Sequence, residues 1–133
     1  MSLPPAKRRK AATLWGEAVR QLFNNRCMVC KRMEPANPSE LTMFHNHHII
    51  LKGMGGNLHV AYKLANGARL CPDDHRKAHG PNGREWLSGI IESRYPSLFA
   101  LIEELRTQPP QRYTEAMLDI DIEMLEAALK ETP

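Results

Sequence analysis

The sequence predicts a small α+β domain, and three features carry that prediction. Apolar residues recur at helical spacing near the start, at Leu14, Trp15, Ala18, Val19, Leu22 and Phe23, and again beyond residue 84. Between them lies an extended, β-prone run, Phe44 with Ile49, Ile50 and Leu51, which carries His45, His47 and His48. A short helix signal follows. Cys71-Pro72 opens it, Asp73 and Asp74 occupy its first turn, and His75 and His79 stand i, i+4 apart on one face. At 133 residues the chain suffices for one domain with a modest core.

In order along the chain, residues 1–10 contain prolines and then Lys7-Arg8-Arg9-Lys10, and read as a disordered basic arm able to follow a phosphate backbone. Residues 11–24 read as a helix whose apolar stripe faces the core, stopped by Asn24-Asn25. Cys27 and Cys30 follow at knuckle spacing, and residues 33–40, with two prolines, form a loop. Residues 41–51 are the strand that bears the front histidines, and the Gly-rich stretch 53–56 breaks it. Val60, Tyr62 and Leu64 alternate as a strand would, and Asn66-Gly67 is a turn signal before the helix of His75 and His79. The chain from 80 to 83 ends that helix. Residues 84–94, Pro96–Thr107 and the stretch from Thr114 onward read as three further helices, with Pro109-Pro110 as a break. The expected organisation is a basic arm (1–10), a domain with its N-terminal helix (11–94), and an acidic helical extension packed on it (95–133).

Composition narrows the setting. No apolar run approaches membrane-spanning length, and the N-terminus lacks a signal-peptide core, so a cytoplasmic protein is expected. Three cysteines, two as Cys27-Met28-Val29-Cys30, favour metal ligation over a disulfide framework. The net charge of +3 conceals an asymmetry: residues 1–94 hold fifteen Lys/Arg against seven Asp/Glu, and residues 95–133 three against eight. A basic body of this kind suits a polyanion such as DNA. Lys52, Arg69, Arg76 and Lys77 flank the histidines and are the candidate phosphate contacts.

Two cation sites can be assembled from these residues. Cys27 and Cys30 with Cys71 and Asp74 offer two ligand pairs, each spaced by two residues, for a tetrahedral structural zinc. Asp is the weakest soft-metal donor of that set. The second site joins the front histidines to His75 and His79. A cation held by neutral imidazoles keeps its full charge, which suits it to a phosphodiester oxygen. Neighbours on a strand point to opposite faces, so one of His47 and His48 can ligate while the other addresses a water.

This pattern resembles the HNH (ββα-metal) endonuclease family in its zinc-knuckle form. The match runs over roughly residues 27–80 through Cys27 and Cys30, His47-His48-Ile49, the Gly-rich 53–56, Asn66 five residues before Cys71, and His75 with His79. The Gly-Met-Gly turn and Trp86 are similar to features of small phage and prophage nucleases. The resemblance implies a ββα-metal core with a zinc knuckle, flanked by an N-terminal helix and C-terminal helices. It implies that His47, His75 and His79 bind one divalent cation (Mg²⁺, Mn²⁺, Ni²⁺ or Zn²⁺). His48 would be the general base and Asn66 the residue that holds the histidine-bearing loop. The implied activity is cleavage or nicking of DNA, leaving 5′-phosphate and 3′-hydroxyl ends. Asp74 departs from the pattern, which has a fourth cysteine there. His45 has no counterpart and reads as surface or outer support, and His59 as incidental. The C-terminal helices leave room for a homo-oligomer. The alternative is a zinc-stabilised DNA-binding module that does not cut and needs no general base.

Overall fold

The computed structural model describes residues 3–51 and 58–131. Among them, five α-helices surround a two-stranded antiparallel sheet, an α+β arrangement. The helices are α1 (Pro5–Leu22), α2 (Pro72–His79), α3 (Gly83–Arg94), α4 (Pro96–Thr107) and α5 (Glu115–Lys130). The strands are β1 (His45–His48) and β2 (Gly67–Leu70). Among the described residues, no helix is long and apolar enough to cross a membrane.

The first helix begins six residues earlier than expected. Pro5 sits in its first turn, where its missing N–H costs nothing, and the basic cluster is helical and not a disordered arm. Its charges meet acidic partners: Lys7 pairs with Glu115 and Asp119, and Lys10 with Glu126, all on α5. These pairs are well exposed, so packing of Ala11, Trp15, Ala18 and Val19 against Leu118, Ile122 and Leu125 holds the two helices together more than charge does. The acidic extension is thus packed through its apolar stripe, with Thr114 capping the Met117 amide at 3.2 Å.

The expected eleven-residue strand shrinks to four residues. A turn built by Ser39 and Thr42 takes up the residues before it, and Asn66 ties down Ile50 after it. The alternation of Val60, Tyr62 and Leu64 is not a strand. Leu58–Val60 and Leu64–Asn66 are single 3-10 turns, both packed toward α1. Asn66-Gly67 accordingly leads into β2 and does not reverse a hairpin.

Register then decides which layer each residue faces. His45 pairs with Leu70, Asn46 with Arg69, His47 with Ala68 and His48 with Gly67. Cross-strand partners share a face, so His45 and His47 lie with Ala68 and Leu70 over the core formed with Ala78, Leu87, Ile91 and Ile102 of α2, α3 and α4. Asn46 and His48 lie on the other face, toward α1, where the Asn46 amide donates to the Gly16 carbonyl at 3.1 Å. The approach there is close: a Cβ on Gly67 would stand 2.2 Å from Val19 Cγ2. Only glycine lets β2 lie this near α1. The sheet is the middle layer of three.

Candidate metal centre

The knuckle is a tight loop. The Cys27 amide donates to the Arg32 carbonyl and the Lys31 amide to the Cys27 carbonyl, each at 2.9 Å, with Lys31 at φ 67°. The Met28 amide donates to the Arg69 carbonyl at 2.9 Å and fastens this loop to β2. At the N-terminus of α2, Cys71 Sγ accepts from the Asp74 amide at 3.5 Å, so the sulfur is both helix cap and candidate ligand. Cys27, Cys30, Cys71 and Asp74 together place one ligand atom each within a mutual 4.8 Å, a group that can hold a metal ion. Two thiolates about 2.3 Å from one tetrahedral ion stand about 3.8 Å apart. Cys30 Sγ and Cys71 Sγ are 3.9 Å apart. Asp74 Oδ2 lies 3.1 Å from Cys27 Sγ and 3.3 Å from Cys71 Sγ, close beside both sulfurs. Burial pushes the Cys27 thiol up to about 12 and raises Cys71 as well, with the Asp74 carboxylate adding to both. Two thiols that resist ionising unaided, Cys27 and Cys71, are donors a divalent cation relieves.

The second group is His47, His75 and His79, whose ring nitrogens also lie within a mutual 4.8 Å. The i, i+4 pair comes from α2 and His47 from β1, on the face that the register turns toward α2. The three rings are near-perpendicular: 73° between His47 and His75, 83° between His47 and His79, and 80° between His75 and His79. Nitrogens about 2.1 Å from one ion at octahedral or tetrahedral angles stand about 3.0–3.4 Å apart. Nε2 of His75 and Nε2 of His79 are 3.1 Å apart. Burial foremost, then the neighbouring imidazoles, lowers His47 to about 4, and burial with His45 and His79 does the same for His75. Both rings are therefore neutral near pH 7, with lone pairs ready for a cation.

His48 is built differently. Its ring stacks on the buried Trp15 indole at 4.0 Å and 11°, and its Nε2 lies 3.0 Å from the Ala61 carbonyl. A carbonyl only accepts, so Nε2 carries the hydrogen, and in that tautomer Nδ1 is the ring's acceptor nitrogen. Trp15 is anchored in turn by its indole N–H, which donates to the Lys63 carbonyl at 3.0 Å. Asn66 is fully buried and staples the flanks. Its Oδ1 accepts from the Ile50 amide at 2.6 Å, and its Nδ2 donates to the Ile50 and Val60 carbonyls at 3.1 and 3.2 Å. Asn66 therefore acts through the loop after His48 and the turn before Ala61.

Other expected site residues are placed less uniformly. Arg69 is not a phosphate contact. It is 5 % exposed, and its guanidinium donates to Glu34, Asn25 and Asn46 at 2.9 Å each, because the β2 register turns it under the loop of residues 33–40. Arg76 is exposed and paired with Asp73, and the Lys77 ammonium lies over the Trp86 ring at 4.6 Å. Lys52 and the Gly-rich 53–56 lie outside the described residues. His45 is half-buried against His75, and His59 is buried, with both ring nitrogens lacking a hydrogen-bond partner among the described residues. The sequence reading assigned Trp15 to the core alone. Its contact with His48 spans 33 positions, and no local pattern announces it. No family model matches the chain, and no curated protein or solved structure shows significant similarity to it.

Proposed function

We propose that this protein is a metal-dependent DNA endonuclease or nickase of the HNH kind, with a structural zinc in the knuckle. One observation carries the reading: His47, His75 and His79 converge on one point, while the next residue, His48, presents a ring oriented by Trp15 and the Ala61 carbonyl. A phosphodiesterase needs those two parts side by side. A bound cation supplies charge stabilisation at a phosphodiester oxygen. His48 Nδ1 takes the proton of the attacking water, and the Ala61 carbonyl steadies the imidazolium that forms, as the third member of a nucleophile–base–orienter set does. His47, His75 and His79 hold the cation, and Asn66 keeps the His48 flank and Ala61 in register. The excess of Lys/Arg over residues 1–94 supports a nucleic-acid substrate. The stacking of His48 on Trp15 also favours a second reading, a DNA-binding module in which His48 is a core residue.

Supercoiled plasmid incubated with the protein and Mg²⁺, Mn²⁺, Ni²⁺ or Zn²⁺ in turn tests both. Nicked circles are expected. His48→Ala should keep DNA binding and cation binding and lose cleavage at least about a hundredfold, the lower end of what a positioned base contributes. His47→Ala and His79→Ala should be partly rescued by more cation. Rescue of His48→Ala but not of His47→Ala would reverse the two roles. Binding without any nicking, for every cation, establishes the module instead.

A further inference from the structure

His45 stands two residues before His47 on β1, on the same face, and the sequence pattern has no place for it. The ring contacts within the histidine cluster differ in kind. The three pairs among His47, His75 and His79 are edge-on, whereas His45 lies flat on His75, at 4.5 Å between centroids and 19° between planes. His45 is not a member of the group whose nitrogens converge. It meets the ring of a ligand, and it does so face to face.

We propose that His45 is a positioning residue for the cation centre: its ring is the platform that holds the His75 imidazole with Nε2 turned toward His79. This rests on the reading of His47, His75 and His79 as a cation site. An imidazole on a helix has a broad χ2 well, and ligation must freeze it. A flat neighbour freezes it beforehand, so less freedom is lost when a cation arrives. A ligated imidazole also carries part of the ion's charge, which an aromatic face beneath it attracts. His79, on the exposed side of the cluster, has no such stacked ring among the described residues. The platform therefore serves one ligand of the three. A stacked pair of this type corresponds to roughly a 3- to 10-fold effect on a binding constant. The effect belongs to the ring face and not to the ring nitrogens.

The experiment uses the full chain with its knuckle zinc in place and Co²⁺ as the probe, read by visible absorption. His79→Ala identifies the signal of the histidine site. His45→Ala and His45→Asn should weaken Co²⁺ binding at that site roughly 3- to 10-fold, while His45→Phe, which keeps a flat ring and has no nitrogen, should stay within about twofold. The Mg²⁺ or Mn²⁺ concentration for half-maximal nicking should move in the same order. Equal losses in Ala and Phe, or wild-type binding in all three, overturn the platform while leaving the cation site standing. Rescue by Asn and not by Phe overturns it in favour of a polar contact. If wild-type protein shows no Co²⁺ signal that His79→Ala removes, the cation reading itself falls and the platform with it.

Discussion

Replacing Asn66 by alanine tests whether the histidine-bearing segment is held as the structure describes. The substitution deletes three hydrogen bonds, to the Ile50 amide, the Ile50 carbonyl and the Val60 carbonyl, at a position with no solvent exposure. Each bond is worth about 1 kcal/mol net, and more where the abandoned backbone group stays dry. A loss of about 3 kcal/mol follows for the set. For a chain of this size that corresponds to a fall of about 10–15 °C in Tm. The assay is urea unfolding at pH 7 with zinc present, which should show a lower midpoint at an unchanged slope. Asn66→Asp keeps the acceptor for the Ile50 amide but loses both donated bonds and buries a charge, so it should be no better than alanine. A loss below about 0.5 kcal/mol in Asn66→Ala, the range of ordinary surface substitutions, would refute the view that Asn66 holds Ile50 and Val60 together.

Three further outcomes follow from the geometry. Protein as purified should hold one zinc per chain, and Cys27→Ser should be unfolded or insoluble, since binding at such a site supplies on the order of 10 kcal/mol of folding free energy. A well-folded, metal-free Cys27→Ser protein would dismiss the knuckle. Without added divalent cation, stability should decline as the pH falls from about 6.5, the unfolded value, toward the value of about 4 held by His47 and His75 in the fold. The sign follows from linkage, because over that window the unfolded chain takes up protons that the folded one refuses. His47→Leu should flatten this decline in a series of urea midpoints, and an unchanged decline would show that His47 is not held neutral. DNA affinity should drop with salt, each phosphate contact adding about −0.9 to the log–log slope. Arg8→Ala with Arg9→Ala should remove up to about two contacts from that slope. Lys7→Ala should change it less, because Lys7 already pairs with α5, and the reverse order would show that those pairs open on binding.

Helical spacing made much of the fold readable in advance. The stretches from Pro72, Pro96 and Thr114 carry their own starts, two prolines and a capping hydroxyl, and the helices begin there. The extended stretch was less legible. Residues 41–51 look β-prone throughout, yet a strand needs a partner, and β2 offers only four residues before Cys71 turns into α2. The basic cluster at 7–10 reads as disordered in isolation, because nothing local shows that α5 will bring Glu115, Asp119 and Glu126 alongside.

Spacing within a few residues is a property of the local chain, and so the sequence by itself determined the local pairs from which the two candidate metal groups are built. Cys27 with Cys30, Cys71 with Asp74, and His75 with His79 are pairs that a knuckle loop or one helical turn brings together in any fold. The tertiary structure decided which face of the sheet His47 and His48 each take. In a four-residue strand with histidine on both faces, the pattern is the same after a slip of one residue, and only pairing with β2 between two cores chooses the face. The same choice turned Arg69 inward to Glu34, set Trp15 and Ala61 around His48, and laid His45 on His75. Those contacts join residues far apart in the chain. They depend on which apolar faces are buried together, which no short stretch of sequence records.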